Sequence, residues 1–187
     1  MNKRQSIPFL ALLIGFLLWL YVKPENQVPA LPDHHPSYIA NEVLSNHYDE
    51  FGFNDYRISA KKVTNYPEDD LTLFEQPKIL IYIKDETTKT ISIWQLTSET
   101  GTLKEQKKLL LAGNVLINNL SKDQVVQTMY TEKAMLILDS KEMSSEEKVI
   151  WTGPQIRQEG VGMWASMITK EMTLNSNIEA IYFNEPK

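Results

Sequence analysis

Lys78-Ile-Leu-Ile-Tyr-Ile-Lys84 is the stretch from which the fold of this chain is read. Ile79, Ile81 and Ile83 fall on one side of an extended backbone and Leu80 and Tyr82 on the other. A period of two with β-branched residues describes a strand, because successive side chains of a pleated chain point to opposite faces. The same alternation recurs outward in both directions. Upstream, Tyr56, Ile58 and Ala60 alternate with Arg57 and Ser59. Downstream come Ile91 and Ile93, Leu109 and Leu111, Val115 and Ile117, Met135 and Ile137, and Val149 and Trp151. Then follow Val161, Met163, Ala165 and Met167, next Met172 and Leu174, and last Ile178, Ala180 and Tyr182.

Turn-forming stretches separate these runs: 85–88, Gly101, Gly113-Asn114, Asn118-Asn119, Asp139-Ser140 and Gly153-Pro154. The pattern predicts strands of about six to ten residues joined by tight turns. No helical period extends over three turns after Val22, and the best places for a single helical turn are Ser121 to Tyr130 and the neighbourhood of Ser144–Glu147. With no helical layer to cover it, the sheet must cover itself, as a jelly roll, sandwich or barrel. Strands apolar on both faces, as at 78–84, point to a surface covered by a partner or to a lined groove.

The N-terminus is of another kind. Ile7 to Val22 is uncharged; its 16 residues, at about 1.5 Å rise, span roughly 24 Å, which snorkelling flanks extend towards the bilayer core thickness. Phe9, Leu13, Gly15, Leu17 and Trp19 belong to this expected anchor, and Lys3 and Arg4 before it place the N-terminus in the cytoplasm by the positive-inside rule. A cleaved signal peptide is the competing reading, but Lys23-Pro24-Glu25 follows the run where small residues and a cleavable bond are needed. The expected organisation is a cytoplasmic segment 1–6, a transmembrane anchor 7–22, a proline-rich tether 23–36 and a β domain 37–187 outside the cytoplasm.

The formal net charge of −5 argues against nucleic acid, which demands clustered cations, and the absence of cysteine removes disulfides and thiolate chemistry. There is no nucleotide-binding loop, His-Glu-x-x-His, EF-hand or nucleophile elbow, and Gly160-Val-Gly162 lacks the third glycine and helix of a dinucleotide fingerprint. His34-His35 in the tether and the carboxylate pairs Asp69-Asp70 and Glu146-Glu147 read as solvated neighbours. His47, with Asp49 two residues on and hence on the same strand face, has no nucleophile indicated beside it. The expectation is a chain that is no enzyme and carries no metal or cofactor.

On several short motifs the chain resembles the LptC family of lipopolysaccharide transport. They are Pro36-Ser-Tyr38, Tyr56-Arg-Ile-Ser-Ala60 leading to Val63 and Tyr66, Phe74-Glu-Gln-Pro77, Gly113-Asn-Val-Leu-Ile117, Thr131-Glu-Lys-Ala134, Gly153 and Gly160-Val-Gly-Met163. They keep their order and spacing within a similarity that runs from about Pro36 to Phe183; Trp164 and the insertion-like stretch Pro67–Asp70 depart from the family pattern. The resemblance implies an all-β, open, twisted antiparallel β-jelly roll of the LptA-like kind, with one N-terminal transmembrane helix in the inner membrane and the domain in the periplasm. It implies that lipopolysaccharide is received from the LptB/LptF/LptG transporter and passed to LptA. Phe74, Met172 and Tyr182 would line the lipid groove, and Gly153, Gly160 and Gly162 would allow bends or close backbone approach. Ile178, Ala180 and Phe183 would lie on the edge facing LptA, and Tyr38 on the edge facing LptF, with LptG at the helix and LptB engaged indirectly. A structural reading stands beside it, in which the anchored domain tethers or assembles partners without touching lipid.

Overall fold

A computed structural model describes residues 35–85 and 88–183. Eleven strands form one antiparallel sheet: β1 (Tyr38–Tyr48), β2 (Asn54–Tyr66), β3 (Leu71–Glu75), β4 (Lys78–Lys84), β5 (Ile91–Thr97), β6 (Thr100–Lys104), β7 (Lys108–Asn119), β8 (Thr128–Ile137), β9 (Glu142–Thr152), β10 (Ile156–Ser166) and β11 (Glu171–Tyr182). One 3-10 turn, Pro67–Asp69, lies at the insertion-like stretch. The anchor and most of the tether fall outside the described residues, among which no helix is long and apolar enough to cross a membrane.

Register explains how the sheet covers itself. Both β3 and β4 pair with the same edge of β2, β3 along 62–66 and β4 along 56–59, so they are two halves of one course interrupted at Gln76-Pro77. In the same way β6 and β5 share one edge of β7, interrupted at Ser98-Glu99. The interruption continues from β7 to β10. Registers shift between Ala112 and Val115 in β7, Thr131 and Met135 in β8, Val161 and Met163 in β10. Left-handed backbone marks the same line at Glu42, Gln76, Gly113, Asn114, Gly162 and Asn177. β-Bulges bend strands and sharpen twist; aligned in adjacent strands they make one crease across the whole sheet.

The crease divides the sheet into two leaves that fold over one another. The first holds β4, β5 and the adjoining halves of the long strands; the second holds β3, β6 and the other halves. Ile58, Ile79, Ile81, Leu96, Ile117 and Trp151 face inward from the first, and Val63, Phe74, Leu109, Leu111, Leu136 and Met163 from the second, all in one buried cluster. At about 1.5–3 kcal/mol for each large apolar side chain removed from water, this interior is what keeps the leaves together.

Several expectations change here. The long strands have ten to thirteen residues. Gly113-Asn114 lies inside β7 and kinks it without reversing the chain. Ser144–Glu147 belongs to β9, and 121–127 forms a loop. Val161 is exposed while Met163 and Ala165 are buried, because the bulge at Gly162 shifts the alternation by one residue. Leu80 and Tyr82 on the outer face of β4 are half-buried.

The outermost strands are β1 and β11, each paired on one side only among the described residues and exposed along most of its length.

Candidate functional site

The leaves meet at the crease and part at their tips. There a cleft of about 760 Å³ opens, within the size range of small-molecule sites. Phe53, Ile83 and Ile168 are among its lining residues, with Asp55, Asp85, Lys141 and Lys170 among the charges at the rim. The chain reaches it through four reversals, β1–β2, β4–β5, β8–β9 and β10–β11, so the mouth runs across the strands.

Among the described residues, two ion pairs cross it. Lys141 Nζ of the second leaf lies 2.7 Å from Asp55 Oδ2 of the first, and Lys170 Nζ lies 3.3 Å from Asp85 Oδ2. The Lys141 side chain is only 5% exposed; it also donates to the Leu138 carbonyl at 2.5 Å and sits 5.1 Å from the centre of the Tyr56 ring. His47 stacks on Tyr56 with centroids 4.5 Å apart and places Nδ1 3.5 Å from Asp55. The carboxylate expected beside His47 was Asp49; instead Asp55, across the hairpin, takes that place, and Asp49 accepts from the amides of Phe51 and Phe53 in the turn. Burial, then the charges of Asp55 and Asp139, push the Tyr56 phenol up.

Behind the mouth the interior is filled. Trp94, Met129, Met143, Met167 and Met172 surround a gap of about 10 Å³, room for about one water. Lys170 borders both this gap and the mouth. At the tip of the first leaf Asp123 bonds Ser92, and Asn119 donates to it at 2.7 Å. Its partial burial opposes ionisation, but these hydrogen bonds outweigh that and hold the carboxyl below its usual range. The Trp151 indole N–H is buried without a hydrogen-bond partner.

Phe74 is 8% exposed on the inward face of β3, opposite Val63 and Gly101. Met172 packs, partly buried, against the core from β11. The order β3-β6-β7-β8-β9-β10-β11 puts six strand spacings between them, about 29 Å at 4.8 Å each along the sheet, so they stand at opposite ends of one apolar interior. Tyr182 is 70% exposed on the far half of β11, where Ile178 and Ala180 are also exposed. The Phe183 amide bonds the Gln155 carbonyl. Tyr38 is exposed at the start of β1. Gly162 has a φ of +74° on the crease, and a Cβ on Gly153 would come within 1.9 Å of the Val125 carbonyl oxygen. Gly160 lies close under Leu174 and the Ser176 carbonyl. Phe9, Leu13, Gly15, Leu17 and Trp19 lie outside the described residues.

The rim residues escaped the sequence reading. Lys141 and Asp55 are 86 positions apart, and no local pattern joins them.

A family model described as lipopolysaccharide-assembly, LptC-related, matches residues 8–183. The lipopolysaccharide export system protein LptC of Haemophilus influenzae is 22% identical over 200 residues, covering 97% of this chain and 95% of that protein. Its namesake from Escherichia coli K12 is 23% identical over 173 residues, 92% of this chain and 88% of that one. Among solved structures, Pseudomonas aeruginosa LptH, described as the LptA-homologous periplasmic component of a lipopolysaccharide transport device, superposes with a TM-score of 0.48 at 11% identity over 67% of this chain and 93% of its own.

Proposed function

Because this chain belongs to the LptC-related family of lipopolysaccharide assembly, we propose that it is a transport component that carries lipopolysaccharide and performs no chemistry on it. In this reading the segment 7–22 anchors it in the bacterial inner membrane and the β domain works in the periplasm. It accepts lipid from the LptB/LptF/LptG transporter at the β1 edge and delivers it to LptA at the β11 edge.

The observation that carries the proposal is the doubled sheet, whose single apolar interior extends from the course of Phe74 to that of Met172, beneath two unpaired edges. A lipid with several acyl chains cannot cross water unaided, since each buried CH₂ is worth about 0.8 kcal/mol. An interior that takes up those chains removes the penalty. Transfer between similar interiors is nearly isoenergetic, so direction comes from the partner ATPase. The free edges β1 and β11 suit strand addition, which would join the interior of one domain to the next.

Photo-crosslinking amino acids at Phe74 and Met172, in the chain assembled with its transporter and supplied with ATP, test it. Lipopolysaccharide adducts at both interior positions are expected. Adducts confined to outward positions such as Lys133 would overturn lipid carriage and leave the tethering role.

A further inference from the structure

The mouth and the space behind it are in different states. The mouth is open to about 760 Å³, whereas the interior beside Met172 has closed to about 10 Å³. A path for acyl chains needs both. Methionine is unbranched and adapts its shape at little cost, so the walls at Met129, Met143, Met167 and Met172 can reshape around a chain. Side-chain adjustment alone makes little room in an interior packed to solid density; the leaves must also separate.

Separation is opposed at the tips by the two cross-leaf ion pairs, and these are unequal. Lys141 is buried, with a carboxylate, a carbonyl and an aromatic ring around it. Lys170 and Asp85 remain 42% and 28% exposed, and their 3.3 Å pair is of the solvated kind that contributes little. Lys170 is also the cation that lines both the mouth and the closed gap. We infer that Lys170–Asp85 is a releasable clasp on the interior groove, with Lys141–Asp55 as its fixed post, and that acyl chains seated in the mouth pass inward when Lys170 leaves Asp85. The occupant is an amphipathic lipid with an anionic head: the walls of the mouth are apolar, and a freed Lys170 at their margin complements a negative headgroup. This rests on the lipid-carrying role proposed above, and it names the residues that regulate entry.

The chain has no cysteine, so the test can be made in the full protein on a clean background. Asp85→Cys and Lys170→Cys are joined by a reducible bis-methanethiosulfonate spacer of about a lysine's reach, and lipopolysaccharide capture is read at a photo-crosslinker placed at Met172 in the energised assembly. With the spacer in place, capture is expected to fall about tenfold or more, and to return on reduction. In a separate chain Asp85→Asn, which removes the attraction and leaves the Lys170 cation for the headgroup, is expected to raise capture up to about fivefold, the ratio an exposed ion pair of this kind can hold back. Equal capture by bridged and reduced protein would overturn the clasp while leaving lipid carriage standing. Failure of Asp85→Asn to raise capture above that of the unaltered chain would overturn it independently. Absence of capture from the unaltered chain as well would overturn lipid carriage, and the clasp with it.

Discussion

Replacing Asp55 by Asn removes one charge and little else, so its effect measures how firmly Lys141 is held. The Lys141 ammonium is 5% exposed, and Asp55 supplies its counter-charge at 2.7 Å from a side chain 25% exposed. Removing one partner of a fully buried pair costs about 3–5 kcal/mol, since a charge is left in a medium that solvates it poorly. Partial access of water to Asp55, the oxygen that Asn retains and the bond to Leu138 lower the expected cost to about 2–3 kcal/mol. With a urea slope of about 2 kcal/mol/M, the denaturation midpoint should fall by roughly 1–1.5 M. Asp85→Asn, at the exposed pair, should shift it by no more than about 0.5 M. Buried Trp94 and Trp151 provide the fluorescence signal in the purified chain. Lys141→Met added to Asp55→Asn should recover much of the loss, because it takes away the stranded charge. Equal midpoint shifts for Asp55→Asn and Asp85→Asn would refute the assignment of post and clasp.

Tyr56 has its phenol pushed up by burial and by neighbouring carboxylates, so the neutral form is favoured in the folded state. The stability this contributes is complete below the ordinary phenol pKa and is lost as pH rises through the higher folded value; Tyr56→Phe should flatten that alkaline decline in denaturation curves taken from pH 9 upward. Trp151→Phe removes an N–H that has no partner among the described residues but also leaves a void in the core, and thermal unfolding should show a loss held to about 1 kcal/mol or less by the relief of that N–H. Gly162→Ala must hold φ near +74° and force its Cβ to within 2.6 Å of the Asn175 amide, so a loss of about 1–2 kcal/mol in urea titration is expected. Phe74→Asp buries a charge at an 8% exposed position and should prevent stable folding, while Tyr182→Asp, at a 70% exposed one, should change the midpoint by less than about 0.5 kcal/mol equivalent; circular dichroism on both variants separates the two cases.

The class of fold was legible because its signal is local. Ile79, Ile81 and Ile83 announce a half-buried strand whatever surrounds them, and their complete or near-complete burial follows. The crease was not legible in that way. Gly113-Asn114 indicates positive φ, and positive φ serves equally for a hairpin and for a kink within a continuing strand; the choice depends on whether neighbouring strands carry irregularities at the same level. Ser98-Glu99 and Gln76-Pro77 supply that agreement, but only once the pairing is known. The rim was further from reach. Asp55 shares no segment with Lys141, and His47 was read against Asp49 because chain distance stood in for cross-strand distance. Phe74 and Met172 came from family resemblance; the structure puts both inside, whereas Tyr182 lies out on an edge.

The aligned bulges give the molecule a mechanical property that no single strand possesses. From β7 to β10 the register shifts at the crease, so turning the leaves there strains backbone torsions at the bulges and leaves most of each ladder whole. Each leaf extends about 18 Å from the axis, for five or six residues at 3.3 Å. With Lys141–Asp55 held, a twist of only about 10° at the other end of the mouth displaces the tip that carries Lys170 by about 3 Å, enough to take its ammonium from contact with Asp85 to a water-separated distance. The lever amplifies: small torsional changes at the crease become a displacement of ångströms at the rim. A cargo that wedges the leaves apart at the Lys170 tip would thus be felt first along the β11 edge, beside which that lysine lies.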